Sequence, residues 1–540
     1  MTHYVGIDVG SGSVRSGVFD GDGVLLGSAS SPIETYRPAP DFVQQSSADI
    51  WRAVCSAVRA AMGESGVGAE AVRGIGFDAT CSLVAAGAGD MPVSISPDGA
   101  PDQDVIVWMD HRAIADAEAI TGTGAGVLDH IGGVMSPEME LPKLVWLKRE
   151  LPRSWAKIET LWDLPDWLVH RATGTRLRSL CSPVCKWTYL GHKGLGGEGW
   201  DRRFFAAIGL DDLAGTGFAA IGTEFAPAGV RAGGLSQAAA WELGLVPRTA
   251  VSTGLIDAYA GALGTLGIGD ERGDGAVEGR LAVIAGTSTC HIALIRAPKF
   301  VPGVWGPYYG VLLDGYWANE GGQSAAGALL DAVIARHAAS AQLQGKDGLR
   351  PAEALEAHLA AMGTETALLG RQRHVQPDFH GNRSPLAEPW RKGAISGLTL
   401  EGGLDDLALD YLATQQALAY GTRHIIAALA DKGVGIDTLV VSGGLARNRL
   451  YLREHADATG CRVVVPEQSE PVLLGSAMLG ATAAGAYPNL AAAMGAMSGA
   501  AATIAPRGGE IAAYHAAKYR VFRRMQDDHA AYGAIMDAQE

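Results

Sequence analysis

The amino-acid sequence predicts an α/β protein whose two halves begin with the same kind of element. Tyr4–Phe19 has the pattern of an apolar strand, a Gly/Ser turn and a second strand, and Leu281–Ile295 repeats it around a Gly/Thr/Ser turn. Apolar strands and amphipathic helices follow each hairpin. This recurrence indicates an internal duplication, with domains over residues 1–270 and 271–540 and a charged, Gly-rich segment at the boundary.

Local sequence patterns predict individual helices and strands. Ser46–Met62 predicts an amphipathic helix that begins at a serine cap, and Tyr411–Lys432 predicts a long helix that stops at Gly433. The Trp- and Leu-rich segment Leu141–Thr173 also predicts helix. Thr249–Gly269 predicts a strand, a glycine turn and a helix, with an aspartate at the turn.

Composition excludes several classes of protein. The chain has 540 residues, 48% of them hydrophobic, and a formal net charge of −15, whereas binders of nucleic acid or anionic membranes carry positive charge. Six scattered cysteines form neither a disulfide framework nor a zinc motif. We see no signal peptide and no apolar stretch that predicts a membrane span. A cytoplasmic enzyme without nucleic-acid or membrane partners is expected.

The two hairpin turns have the chemistry of a polyphosphate site. Their hydroxyls and backbone N–H groups can bind phosphate oxygens, and Asp8 beside the first turn is a carboxylate suited to Mg²⁺. A strand follows the first turn, which excludes a dinucleotide fold, and there is no P-loop motif. Ser442-Gly443-Gly444 adds a third glycine turn, where a flat ring or sugar could approach the backbone. Each motif alone is equally explained as an ordinary tight turn.

In order and spacing, these motifs resemble the FGGY carbohydrate kinases, a family within the actin-like ATPases. The resemblance covers nearly the whole chain and implies two ribonuclease-H-like domains with ATP and Mg²⁺ in the cleft between them. It places Mg²⁺ at Asp8, directly or through water. It places ATP at Gly10, Ser11, Gly12, Ser13, Arg15, Gly286, Thr287, Ser288, Thr289, Gly443, Gly444 and Asn448.

The family's catalytic carboxylate lies in a Gly-x-x-Asp-x-x-x-Gly turn, which here is Gly254–Gly261 with Asp257 at its centre. Phosphoryl transfer to an alcohol needs a group that accepts the hydroxyl proton, and a carboxylate can do this. A single aspartate in a glycine turn is usually only a helix cap or an Asx-turn. Its place between the two phosphate hairpins favours catalysis.

The segment Thr80-Cys81-Ser82-Leu83-Val84 looks like the substrate element of the D-ribulokinase branch. That branch implies phosphorylation of D-ribulose to D-ribulose 5-phosphate, with sugar contacts from Thr80, Cys81, Ser82, Asp110, Lys186, Asp257 and Glu320. Two alternatives stay open at this point: Asp110 can simply pair with Arg112, and Lys186 can be a solvated surface lysine.

Two other functions remain open from the sequence. One is a kinase for another sugar or polyol, such as L-ribulose, D-xylulose, ribitol or sedoheptulose. The other is a non-catalytic actin-like protein that binds nucleotide. Family members are often dimers, so a homodimer is also open.

Overall fold

A computed structural model describes residues 2–268, 277–343, 349–363 and 365–537. The predicted domain boundary between residues 270 and 271 lies outside these described residues. Among them, no helix combines the length and the apolar character needed to cross a bilayer.

A mixed sheet forms the centre of the first half. Its middle strand, His3–Val9, pairs antiparallel with Ser13–Phe19 and parallel with Val72–Ala79, which confirms the first predicted hairpin. From edge to edge the strands are Arg231–Gly234, Ala250–Ser252, Val72–Ala79, His3–Val9, Ser13–Phe19 and Leu25–Pro32. A seventh short strand, Leu255–Ile256, pairs with Val72–Ala79 on the same side as Ala250–Ser252.

The second half repeats this order. Arg280–Ala285 pairs antiparallel with Thr289–Ile295 and parallel with Thr438–Ser442, so the second hairpin and the internal duplication are confirmed. The strands in spatial order are Trp305–Tyr309, Trp317–Gln323, Thr289–Ile295, Arg280–Ala285, Thr438–Ser442, Arg462–Pro466 and Ala500–Ile504.

Helices connect the strands of both halves. In the first half they are Ser47–Ser65, Ile114–Thr121, Glu140–Glu150, Pro152–Trp155, Leu164–Thr173, Cys181–Lys186, Arg202–Ala207, Asp211–Gly215, Gln237–Leu243 and Asp257–Leu266. In the second half they are Gly327–Arg336, Pro351–Met362, Thr366–Leu369, Leu404–Ala430, Arg449–Thr459, Pro471–Ala483, Leu490–Met497 and Gly509–Asp537. The predicted Ser46 cap is confirmed, since its side chain accepts a hydrogen bond from the Asp49 amide.

The prediction of continuous helix over Leu141–Thr173 is wrong in part. The segment contains a strand, Thr160–Asp163, which pairs with Leu83–Ala86 in a small four-stranded sheet. All four residues of this strand are buried, so no apolar/polar alternation marks it in the sequence. The other small-sheet strands are Gln44–Gln45, Val105–Ile106, Arg178–Ser179, Phe225–Ala226, His374–Gln376 and Ala394–Ser396.

Two helices, Asp257–Leu266 and Pro471–Ala483, pack against each other between the sheets. Their contact is close because both carry glycine there: a Cβ on Gly264 would overlap the carbonyl oxygen of Pro471, and one on Gly475 would overlap that of Ala260. Pro471–Ala483 also packs on the central strands of the first half. The pair therefore connects the two halves beneath the cleft.

Candidate active site

A cavity of about 770 Å³ lies between the two hairpin turns. Turns from both halves face it, because each begins where the central strand of its sheet ends. Most of the predicted phosphate residues line this cavity, together with the predicted metal residue and the predicted base: Asp8, Gly10, Ser11, Gly12, Ser13, Arg15, Asp257, Gly286, Thr287 and Ser288.

The third glycine turn lies beside the second hairpin. Ile284 and Ser442 are register partners on neighbouring strands, so Gly443 follows directly alongside Ala285. Gly443 has a φ of 86°, and a Cβ there would come within 2.5 Å of the Ala285 carbonyl oxygen. Glycine is therefore required at this position to bring the turn close to the second hairpin.

Two residues that were predicted to contact ATP have structural roles within the second half. Asn448 caps the helix Arg449–Thr459 by accepting a hydrogen bond from the Tyr451 amide at 2.7 Å. Its side-chain amide donates to the Tyr411 hydroxyl at 2.8 Å. Thr289 begins a strand and is fully buried. Contact of these two residues with ATP stays a prediction.

Asp8 is held by the arginine that follows the first turn. Nε and Nη2 of Arg15 both donate to Oδ2 of Asp8, at 2.8 and 2.5 Å, and Nη1 donates to Glu470 at 2.7 Å. Glu470 immediately precedes the helix Pro471–Ala483. The guanidinium of Arg15 thus links Asp8, beside the first hairpin turn, to Glu470 at the start of the helix that connects the halves.

Asp257 is the first residue of the helix Asp257–Leu266 and lies on the cavity wall. One carboxylate oxygen accepts a hydrogen bond from the Ala258 amide at 2.7 Å. Burial, and then the nearby charge of Asp8, raise the pKa of Asp257 to about 7. A carboxylate with this pKa suits a general base that works near neutral pH.

Lys186 and Glu320 form a buried polar group near Asp257. Both influence the pKa of Asp257, and both side chains are almost fully buried, so the alternative of a solvated surface lysine is wrong. Nζ of Lys186 lies 4.3 Å from the ring centre of Trp305. Oε2 of Glu320 has no hydrogen-bond partner among the described residues. An unpaired buried carboxylate oxygen of this kind is suited to a sugar hydroxyl.

The predicted substrate element Thr80–Ser82 is buried at the end of the strand Val72–Ala79. The hydroxyls of Thr80 and Ser82 are 3.0 Å apart, and Ser82 Oγ accepts a hydrogen bond from the Trp108 amide at 3.2 Å. Cys81 lies near Lys186: burial disfavours the charge of this lysine, but Cys81 and then Glu320 outweigh burial, and its pKa is raised well above its usual value. The element therefore supports Trp108 and Lys186 from behind the cavity wall.

Asp110 makes the ion pair that the sequence left open. It binds Nη2 of Arg112 at 2.7 Å and accepts a hydrogen bond from the Val43 amide at 2.6 Å. Both members of the ion pair are fully buried. These partners occupy the Asp110 carboxylate, and its contact with a sugar stays a prediction without structural support.

Several wall residues were given no site role from the sequence. Trp108 lines the first cavity and also a second cavity of about 390 Å³ that continues from it. The second cavity carries Glu138 and Arg383, which pair with each other although 245 positions separate them in the chain. No local signal marks such a pair.

Comparison with known proteins agrees with this geometry. The family model described as the N-terminal domain of FGGY carbohydrate kinases matches residues 3–264, and the C-terminal domain model matches residues 281–484. The FGGY carbohydrate kinase domain-containing protein of Homo sapiens is 45% identical over 99% of this chain and 98% of its own length. A D-ribulokinase of Saccharomyces cerevisiae is 41% identical over 89% of this chain and 72% of its own length.

Solved structures show the same fold. The crystal structure of xylulose kinase from Rhodospirillum rubrum superimposes with a TM-score of 0.80 at 20% identity, covering 98% of this chain and 99% of that one. The predicted architecture of two ribonuclease-H-like, actin-like domains around a cleft is confirmed. This chain belongs to the FGGY family of carbohydrate kinases and is a sugar kinase.

Proposed function

We propose that the protein transfers the γ-phosphoryl group of ATP to the C5 hydroxyl of D-ribulose. The observation that carries the proposal is Asp257, a carboxylate with a pKa of about 7, on the wall of the cleft between two phosphate-type hairpins. The choice of sugar is supported by the Thr80–Val84 element and by the identity to a D-ribulokinase.

Asp257 would accept the proton of the attacking hydroxyl. Phosphoryl transfer mainly requires that the two substrates are positioned and that the charge of the phosphates is neutralised. In addition, one proton must be removed from the attacking hydroxyl. A well-placed general base contributes about 10²–10⁴-fold to the rate. Lys186 and Glu320 would hold other hydroxyls of the ketose, with Thr80, Cys81 and Ser82 supporting the site.

The hairpins would bind the nucleotide. Backbone amides and hydroxyls of Gly10–Ser13 and Gly286–Ser288 face the shared cavity and would contact the phosphates, and Gly443 and Gly444 would lie against adenosine. Asp8 fits Mg²⁺, because it presents a hard oxygen donor beside both turns. When bound with ATP, Mg²⁺ would neutralise charge on the transferred phosphoryl group.

The division into domains of residues 1–270 and 271–540 belongs to this proposal. Because the cavity is formed by turns from both halves, their approach around bound substrates would exclude water. Exclusion of water protects the phosphoryl group from hydrolysis.

A sugar panel tests the function. ADP release would be coupled to a spectroscopic assay with D-ribulose, L-ribulose, D-xylulose, ribitol, sedoheptulose and glycerol, each at several concentrations. We expect the highest kcat/KM with D-ribulose. A clearly higher kcat/KM with another sugar would overturn the assignment of D-ribulose as substrate but not the assignment of kinase activity. If no sugar stimulates ADP release, the proposed function is overturned.

A further inference from the structure

One ion pair crosses the cleft beside the acceptor region. Glu138 precedes the helix Glu140–Glu150 of the first half, and Arg383 belongs to the second half. Nη2 of Arg383 lies 3.2 Å from Oε1 and 3.4 Å from Oε2 of Glu138. The side chains of Arg383 and Glu138 are only 12% and 17% exposed. Their attraction is therefore weakly screened by solvent.

The pair lies close to the cavity that contains Asp257. Nη1 of Arg383 is 3.9 Å from Sγ of Cys290, and Cys290 lines the same cavity as Asp257. Arg383 and Glu138 line the second cavity, which shares Trp108 with the first. A ketose whose reacting hydroxyl is at Asp257 would extend toward this pair with its other end.

The charges of the pair compensate each other. Burial disfavours the charge of Glu138, but Arg383 lowers the pKa of this carboxyl below its usual value, so the ion pair is retained. Arg383 uses only one terminal nitrogen on Glu138, and its other terminal nitrogen contacts a thiol. A guanidinium with donors to spare in a buried site is a strong receptor for a carboxylate ligand.

We propose that Glu138 is a specificity residue that occupies Arg383 and so makes the acceptor site select neutral ketoses and polyols over sugar acids. A bound sugar carboxylate would have to compete with Glu138 for the guanidinium while lying next to the Glu138 charge. A neutral hydroxyl can instead accept from Arg383 or donate to Glu138 without disrupting the pair. This inference deepens the proposed function and rests on it.

The test compares binding of D-ribulose with binding of D-ribonate, a five-carbon sugar acid, by calorimetry on the full chain without nucleotide. The variants are Glu138→Gln, Arg383→Lys and Glu138→Gln/Arg383→Gln. Glu353→Gln is the matched control, because Glu353 also pairs with an arginine, Arg350, but this pair is exposed at the start of a helix. Melting temperatures establish that each variant is folded.

We expect Glu138→Gln to shift the ratio of the two dissociation constants toward D-ribonate by at least about tenfold, because it leaves a buried guanidinium unpaired. Arg383→Lys keeps the positive charge beside Glu138 and should leave the ratio of the dissociation constants as in the wild type. The double variant should have a ratio close to that of the wild type. The control Glu353→Gln should not change the ratio. A folded Glu138→Gln protein whose ratio stays within about twofold of wild type would overturn the inference. Absence of turnover with every sugar would overturn the proposed function instead, since the binding ratio needs no turnover.

Discussion

Asp8 and Asp78 occupy the same register position on two adjacent parallel strands. The strand Leu255–Ile256 pairs with the same strand that carries Asp78 and delivers Asp257 at its end. Three carboxylates therefore meet at one edge of the sheet, where the carboxyl ends of parallel strands converge. Burial, and then Asp8, raise the pKa of Asp78 well above its usual value. Burial therefore disfavours the charge of this inner carboxyl, while Asp8 and Asp257 face the cavity.

The first prediction concerns the proposed base. Asp257→Asn keeps the shape of the side chain but cannot accept the sugar proton, so kcat should fall about 10²–10⁴-fold, with a smaller change in KM for the sugar. Coupled ADP release measures both. Asp211→Asn is a matched control, since Asp211 also begins a helix but is exposed. Turnover close to wild type in Asp257→Asn would remove the proposed base.

The second prediction concerns pH. A base with a pKa of about 7 is mostly protonated below that pH and mostly charged above it. The kcat/KM for the sugar at saturating MgATP should therefore rise about tenfold per unit up to neutral pH and then level off. The pH profile of the residual activity of Asp257→Asn should lack this rise of kcat/KM with pH. A flat profile down to pH about 5 in the wild type would contradict the assignment.

The third prediction separates the inner carboxyl from its neighbours. Burial raises the pKa of Asp78 well above its usual value and so favours its neutral form, and one of its oxygens accepts a 2.5 Å hydrogen bond from Ser476. Asn can accept the same bond, so Asp78→Asn should leave kcat within about threefold of wild type. Steady-state kinetics measure this. A loss as large as that of Asp257→Asn would show that the charge of Asp78 is needed.

The fourth prediction concerns the metal. Asp8→Asn removes the proposed Mg²⁺ carboxylate and also the ion pair with Arg15. The Mg²⁺ concentration for half-maximal rate, titrated at fixed ATP, should rise about tenfold or more. Asp78→Asn, one strand away in the same register, is the matched control and should leave this concentration unchanged. An equal shift in both variants would argue for a general electrostatic effect instead of metal binding.

The sequence predicted those parts of the fold and site that local patterns encode. Both hairpins and the duplicated sheets follow from apolar strands around Gly/Ser/Thr turns. Asp257 was chosen through the family resemblance of its Gly-x-x-Asp-x-x-x-Gly turn, and its role as the base stays a prediction. The strand Thr160–Asp163 was missed because it is buried throughout and lies within a helix-rich segment. The Glu138–Arg383 pair could not be predicted, since it forms only when two distant halves meet. The side chain of Asn448 caps a helix, and its contact with ATP stays a prediction because motif order alone does not distinguish these two roles.

The last prediction concerns the helix pair that connects the halves. Gly264→Ala places a methyl group against the Pro471 carbonyl, where backbone on both sides must shift. Overpacking of this kind costs about 1–3 kcal/mol, so the melting temperature and the urea midpoint should both fall. Gly63→Ala is the matched control: it also lies within a helix, Ser47–Ser65, but a Cβ there meets no atom of the described residues within 4 Å. The control should stabilise the protein by about 0.5–1 kcal/mol, because alanine loses less backbone entropy on folding than glycine. Equal responses of the two variants would show that the helices can separate without cost, and that the close glycine contact does not hold the halves together.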